Sequence, residues 1–212
     1  MVILFVFLLK LYEKTLYTIK MIIYIILFIS LIYLQIIVKK QKIKQKINTP
    51  DTVVAPETLS DLGHKMIPSI SQFYILHSDI ILVSMFLALF ILIKSPNTLQ
   101  DFFKKGSILL LLRSISICLT DLPQINNNDC KLGNQISKIV GGKCTNDYMF
   151  SGHTSMTLLI SLFIMKELPY LQIPMLSITT IQIYIILATR MHYSIDIFIA
   201  ILLTYLVYSS SF

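Results

Sequence analysis

Residues 151–208 read SGHTSMTLLISLFIMKELPYLQIPMLSITTIQIYIILATRMHYSIDIFIAILLTYLVY, and this stretch decides the fold. It divides into three apolar segments, roughly 151–167, 171–189 and 192–208, broken by Lys166-Glu167-Leu168-Pro169 and by Arg190-Met191. A helix crosses a hydrocarbon core with about 20 mainly apolar residues, so each segment reads as a membrane span. His153 lies at the mouth of the first and His192 at the mouth of the third. A chain that crosses twice between them returns to the face it left, so both histidines belong to one side.

Working outward, three more apolar segments fall at roughly 17–38, 73–93 and 106–122. The chain is 55% hydrophobic and 14% charged, with mean hydropathy +0.75, whereas soluble domains carry about 25% charged residues. The expected fold is therefore all-α: a polytopic membrane helix bundle of about six transmembrane helices. No room remains for a soluble domain. Residues 1–50 read as an N-terminal anchor span with a basic juxtamembrane run, and residues 51–212 as one catalytic membrane domain. Met1 to Leu9 is apolar but too short to span, and no small-residue cleavage pattern follows it, so the first span itself is the expected insertion signal.

Three polar connectors are expected. Residues 39–72 contain Pro50, Pro56, Gly63 and Pro68; residues 94–105 open on Lys94-Ser95-Pro96-Asn97; residues 123–150 include Asn126-Asn127-Asn128-Asp129 and Gly141-Gly142. By parity the first and third lie on the face of the histidines. The net charge of +7 owes much to the run Lys39-Lys40-Gln41-Lys42-Ile43-Lys44-Gln45-Lys46 beside a span, which suits topology or anionic headgroups, and no nucleic-acid partner is expected. The histidine side carries ten basic loop residues (Lys39, Lys40, Lys42, Lys44, Lys46, Lys65, Lys131, Lys138, Lys143, Arg190), the other side seven (Lys10, Lys14, Lys20, Lys94, Lys104, Lys105, Lys166). That tally weakly favours a cytosolic histidine face. Cys118, Cys130 and Cys144 have no metal-ligand spacing, so no metal or other cofactor is expected; Cys130 and Cys144 share a loop and could pair in an oxidising lumen.

The chemistry is concentrated in a few residues. His192 and Asp196 are four apart, so on a helix the carboxylate can fix the imidazole tautomer and raise its basicity. Asp196 sits inside an apolar span, where a carboxylate costs at least ~2.5 kcal/mol. His153, on the same face, can supply the acid that nucleophilic substitution at phosphorus needs. The helix opening at Ser151 presents backbone N–H groups to an anionic phosphate. The plain alternative is a polar pair that merely satisfies itself at the interface. His77 and Asp79, near the start of the second span, are read either as site contacts or as a local polar pair.

The block Cys144-Thr145-Asn146-Asp147-Tyr148-Met149-Phe150-Ser151-Gly152-His153-Thr154 resembles the motif C-G-D-[YF]-x-F-S-G-H-T of the sphingomyelin synthases. His192-Tyr193-Ser194-Ile195-Asp196-Ile197, with Ala200 and Tyr205, resembles their H-Y-[TS]-x-D-V segment. Arg113-Ser114 with Thr120-Asp121-Leu122-Pro123 resembles the family's R-x(n)-T-x-L-P stretch, and Leu59-Ser60-Asp61 a degenerate P-L-P-D. The likeness covers about residues 55–208.

The resemblance implies a headgroup transferase of the lipid phosphatase and phosphotransferase superfamily, working without a metal. Phosphocholine or phosphoethanolamine would pass from a glycerophospholipid donor to a ceramide acceptor, leaving diacylglycerol, through a phosphohistidine on His192. Asp196 would orient His192, and His153 would protonate the leaving alkoxide and then deprotonate ceramide. Asp147, Ser151, Tyr193, Arg113 and Arg190 are the expected substrate contacts. The resemblance also implies an integral multi-pass protein of the Golgi, endoplasmic reticulum or plasma membrane with a lumenal or exoplasmic active face, against the charge tally. An oligomer is compatible with it.

This chain departs from C-G-D by one additional residue between Cys144 and Asp147. Choline recognition calls for an aromatic cage; the chain has no Trp, leaving Tyr148, Tyr193 or phenylalanines, and inositol stays open. Two alternatives stand beside transfer. A phosphatidate-type lipid phosphatase would show K-x-x-x-x-x-x-R-P and S-R-x-x-x-x-x-H-x-x-x-D. Here Lys105 and Arg113 are separated by seven residues, Ser114 replaces the proline, Ile186 stands six before His192 and Arg190 only two before it. The other is a catalytically inactive lipid-binding scaffold of the same fold.

Overall fold

The computed structural model describes residues 2–48, 59–70, 72, 76–120, 122–123, 125 and 149–211, without the side chains of 2–9, 39–40, 42–48 and 77–78. Seven α-helices and no strand occur among the described residues: α1 (Val2–Asn48), α2 (Leu62–Met66), α3 (Leu76–Leu92), α4 (Pro96–Leu119), α5 (Gly152–Glu167), α6 (Gln172–Ala188) and α7 (Ser194–Ser209), with a 3₁₀ turn at Pro169–Leu171. Each of the six expected apolar segments is occupied by one long helix.

Two expectations about connectors are corrected. Residues 39–48, read as loop, continue α1, which runs for 47 residues. Neither glycine nor proline occurs before Pro50, so nothing in the basic run interrupts the hydrogen-bond ladder. Residues 96–105, also read as connector, form the first turns of α4. Pro96 takes the N1 position, where its missing N–H costs nothing. Lys105 Nζ lies 3.2 Å from Asp101 Oδ2 one turn back and donates to the Tyr208 carbonyl at 2.6 Å, so the polar turns pack onto the end of α7.

Two helices are long and apolar enough to cross a membrane, Lys10–Val38 and the unit Pro169–Ala188, with mean hydropathies of 2.7 and 1.7; Asp79–Leu92 and Ser194–Ser209 are shorter apolar helices. A 16-residue helix such as α5 or α7 rises about 24 Å, against a hydrocarbon thickness of about 30 Å. Their ends carry His153 and Asp196, and polar side chains there take the place of further apolar turns.

Helix α5 is the axis of the bundle, touching α3, α4, α6 and α7, while α1 lies along α4. Its Ser155, Thr157 and Ser161 are buried, and small side chains let neighbouring helices approach closely. Ser161 Oγ and Thr179 Oγ1 of α6 share a hydrogen bond of 2.8 Å. Farther down, Phe28, Phe102, Phe103, Phe163 and Tyr208 meet in edge-to-face pairs with centroids 5.3–5.6 Å apart. The outer surface bears Ile22, Ile23, Ile26, Ile29, Phe86, Phe90 and Phe198 in the open, a pattern suited to hydrocarbon rather than water.

Candidate active site

The site forms where the N-termini of α5 and α7 meet. Ser151 caps α5: its Oγ accepts from the Thr154 N–H at 3.3 Å and from Thr154 Oγ1 at 2.9 Å. Its own N–H donates to the Asp196 carbonyl at 3.2 Å, joining the two helix mouths. The resemblance implies Ser151 as a substrate contact, and here its Oγ accepts both bonds of the cap.

Helix α6 closes with a Schellman motif: the Arg190 N–H donates to the Leu187 carbonyl and the Met191 N–H to that of Ile186, both at 3.1 Å. The motif places Arg190 in the left-handed region, φ 56°, a position usually held by glycine. The side chain recovers what the backbone loses. Arg190 Nη2 donates to the carbonyls of His64 at 2.7 Å and Ile67 at 2.9 Å. The turn that follows reverses the chain and presents His192 to His153.

His192 and Asp196 are almost fully buried, with His192 Nδ1 3.6 Å from Asp196 Oδ2. That separation is within ion-pair reach and long for a hydrogen bond. Asp196 Oδ2 also accepts the Tyr193 N–H at 2.9 Å, so the carboxylate stabilises the first turn of α7 while it faces the imidazole. Asp196 Oδ1 is buried with no hydrogen-bond partner among the described residues. The ring centroids of His153 and His192 stand 6.4 Å apart at 57°. The structure thus brings together His153, His192 and Asp196, separated by up to 43 positions in the chain.

Arg113, buried on α4, donates from Nη1 to the Phe150 carbonyl just ahead of the α5 cap. Its guanidinium lies across Gly152, where an added Cβ would sit 2.8 Å from Nε and 3.0 Å from Cδ, so a larger residue there has to displace the arginine. A cavity of about 210 Å³ opens beside it, lined by Phe28, Ile32 and Ile36 of α1, Ile81 and Met85 of α3 and Leu110 of α4, and ending on Arg113 and His153. Tyr193 is buried, and its hydroxyl donates to the Pro123 carbonyl at 3.0 Å, tying the α7 mouth to the end of the α4 segment. Asp79 is exposed; the His77 side chain, Asp147, Asp129, Cys130 and Cys144 lie outside the described residues. Among the described residues no group of three or more His, Cys, Asp or Glu side chains could hold a metal ion.

Sequence reasoning missed His64. Asp61 caps the short helix α2, accepting the His64 N–H at 2.9 Å, and also takes the Ser194 N–H and Oγ, each at 2.8 Å. The His64 ring nitrogen Nε2 is 3.0 Å from the carbonyl of His192. Burial pushes the Asp61 carboxyl up, but hydrogen bonds from His64 and Ser194 outweigh it and hold the group below its ordinary value. Burial likewise holds the His64 imidazole below its ordinary value, against the raising influence of the His192 carbonyl and Asp61. Asp61 three positions before His64 is a helix-capping spacing, which was the one local signal available.

Residues 143–211 match the family model described as PAP2 superfamily C-terminal, a span that includes His153, His192 and Asp196. The match supports placing this region in the lipid phosphatase and phosphotransferase superfamily, with a phosphatase or phosphoryl-transfer type of activity on membrane lipids. With the two long apolar helices it also supports membrane association. No curated protein matches the chain.

Proposed function

We propose that this protein transfers a phosphoalcohol headgroup, phosphocholine or phosphoethanolamine, from a glycerophospholipid to ceramide. The observation that carries the proposal is the convergence of His153, His192 and Asp196, with His153 also lining a largely apolar cavity. Lipid tails match the cavity wall, and the phosphodiester then meets His153, whose ring centroid is 6.4 Å from that of His192.

Asp196 favours the Nδ1–H tautomer of His192 and leaves Nε2 as nucleophile. Nε2 attacks phosphorus and the bond to the glycerol oxygen breaks. His153, as imidazolium, gives its proton to that oxygen, so diacylglycerol leaves neutral. The neutral His153 then removes the proton from the primary hydroxyl of ceramide, whose oxygen attacks the phosphohistidine and restores His192. The first-turn N–H groups of α5 lie at the positive end of its dipole, toward developing negative charge. Asp147 is retained as a proposed further contact.

Transfer is favoured over phosphatidate hydrolysis because the phosphatase clamp is incomplete, with Ser114 in place of its proline and Arg190 only two positions before His192. Arg190 donates to three backbone carbonyls, and Arg113 to that of Phe150. A phosphomonoester dianion needs a charged clamp, whereas a phosphodiester carries one negative charge. We further propose that all six long helices cross the bilayer, with the histidine face lumenal or exoplasmic, in an endomembrane or the plasma membrane.

Membranes expressing the chain, incubated with fluorescent ceramide and a panel of donor phospholipids, test the reading. A new phosphosphingolipid that disappears in His192→Ala is the expected result. Phosphate release from phosphatidate without that product selects the phosphatase, and neither product from folded protein selects the inactive scaffold.

A further inference from the structure

The segment Asp61–Ile67 takes no part in the mechanism above, yet it is sewn to the turn that carries His192. His64 Nε2 meets the His192 carbonyl at 3.0 Å, and Asp61 receives both polar hydrogens of Ser194, the first residue of α7. The Gly63 N–H donates to Ser194 Oγ at 3.1 Å, and the Ile70 N–H to the Ala188 carbonyl at 2.8 Å. In return Arg190 Nη2 bonds the carbonyls of His64 and Ile67. A Cβ on Gly63 would lie 2.3 Å from Ser194 Oγ, so a larger residue there has to displace the Ser194 hydroxyl from its place. Residues 189–193 form no helix of their own; α6 takes the N–H groups of Thr189, Arg190 and Met191, Asp196 takes that of Tyr193, and His64, 128 positions away, meets the His192 carbonyl.

We propose that Asp61 and His64 are positioning residues for the nucleophile: the α2 segment clamps the Arg190–Ser194 turn from outside and sets where the His192 imidazole stands. Asp61 acts as a helix cap supplied in trans, its carboxylate on the N–H of the first residue of α7. His64 fixes the peptide plane of His192 itself. Because Asp196 belongs to the helix that Asp61 caps, one segment governs both members of the dyad. The inference rests on the reading of His192 as nucleophile, but the clamp is also observable without turnover.

The test pairs His64→Leu, which removes the donor, with His64→Gln, whose side-chain amide can still donate to the His192 carbonyl. In wild type and both variants, headgroup transfer is followed as kcat and KM, and backbone hydrogen exchange is followed across residues 190–196. His64→Leu should lower kcat roughly 10–100-fold, as displacement of a reacting group by about 1 Å does. KM should stay unchanged, with faster exchange confined to the 190–196 turn; His64→Gln should restore both. Asp61→Asn, which leaves one oxygen for the His64 N–H, the Ser194 N–H and Ser194 Oγ, should loosen the clamp and quicken exchange in the same turn. Wild-type exchange rates at 190–196 in His64→Leu overturn the clamp, as does a loss of activity in Leu and Gln alike that tracks melting temperature. A wild-type protein that makes no phosphosphingolipid refutes the proposed function instead, and the exchange data still decide the clamp.

Discussion

Gly152→Ala tests whether the arginine across the mouth of α5 holds the site in shape. The added methyl would lie 2.8 Å from Arg113 Nε, 3.0 Å from Cδ and 3.1 Å from Cζ. Ordinary contacts between such atoms are about 3.5–4.0 Å, so the overlap is roughly 0.7 Å or more. Arg113 is 5% exposed and cannot swing into solvent. It has to shift along α4 or into the adjoining cavity, stretching its bond to the Phe150 carbonyl. Overpacking costs about 1–3 kcal/mol and a hydrogen bond from a charged donor about 1.5–3 kcal/mol, so a net loss of about 2–4 kcal/mol is expected. Thermal unfolding in detergent should fall by roughly 5–15 °C. Transfer should fall at least about 10-fold, because Phe150 leads directly into the cap that aims His153.

The sign of the effect is diagnostic. With no clash, Gly→Ala at a helical position stabilises by about 0.4–1 kcal/mol through the unfolded chain. A double-mutant cycle with Arg113→Ala isolates the contact: Gly152→Ala should cost much less once Arg113 is gone, a coupling of about 0.5–3 kcal/mol. A Gly152→Ala protein as stable as wild type, or additive losses in the double mutant, would refute the packing argument.

Further predictions follow from the same geometry. Asp196→Asn should keep the fold, since an amide oxygen still accepts the Tyr193 N–H, while kcat drops by roughly 10³–10⁴-fold as the imidazole loses the negative charge that raises its basicity; circular dichroism and initial rates check this. Arg190→Gly relieves the left-handed backbone but releases the carbonyls of His64 and Ile67, so proteolysis near residues 62–67 should quicken even if melting changes little. The folded-state pKa of His64 lies below its unfolded value of about 6.5. Its stabilising contribution is therefore complete above that pH and is lost as pH falls from about 6.5 through the folded value, because the unfolded chain takes up the proton first. His64→Gln should flatten that acid limb in melting curves taken from pH 7.5 to 5. With Cys118, Cys130 and Cys144 replaced by serine, Ser60→Cys and Asn97→Cys should react with an impermeant maleimide from opposite sides of sealed vesicles; labelling from the same side contradicts the six-span topology.

Hydropathy located each long helix, because burial in lipid and burial in a bundle both demand continuous apolar residues. It could not set the ends of α1, where a basic run without glycine or proline continues the helix, or of α4, where Pro96 at N1 opens polar turns ahead of the apolar run. Parity brought His153 and His192 to one face, and the four-residue step placed Asp196 beside His192. Arg113 and Arg190 were legible as cations near the site but not as what they are, since their partners are backbone carbonyls contributed by distant segments. His64 was hidden for the same reason. Its local sequence shows only a short capped turn, and its bond to the His192 carbonyl spans 128 positions.

The central claim is that His192 carries the headgroup during turnover. Purified protein mixed with a phospholipid isotopically labelled in its headgroup phosphate, without ceramide, and denatured in alkali should show the label on the peptide containing His192. The label should be absent in His192→Ala and should pass into a phosphosphingolipid when ceramide is added before quenching. Product formed with no labelled peptide, or with the label on any other residue, contradicts the account.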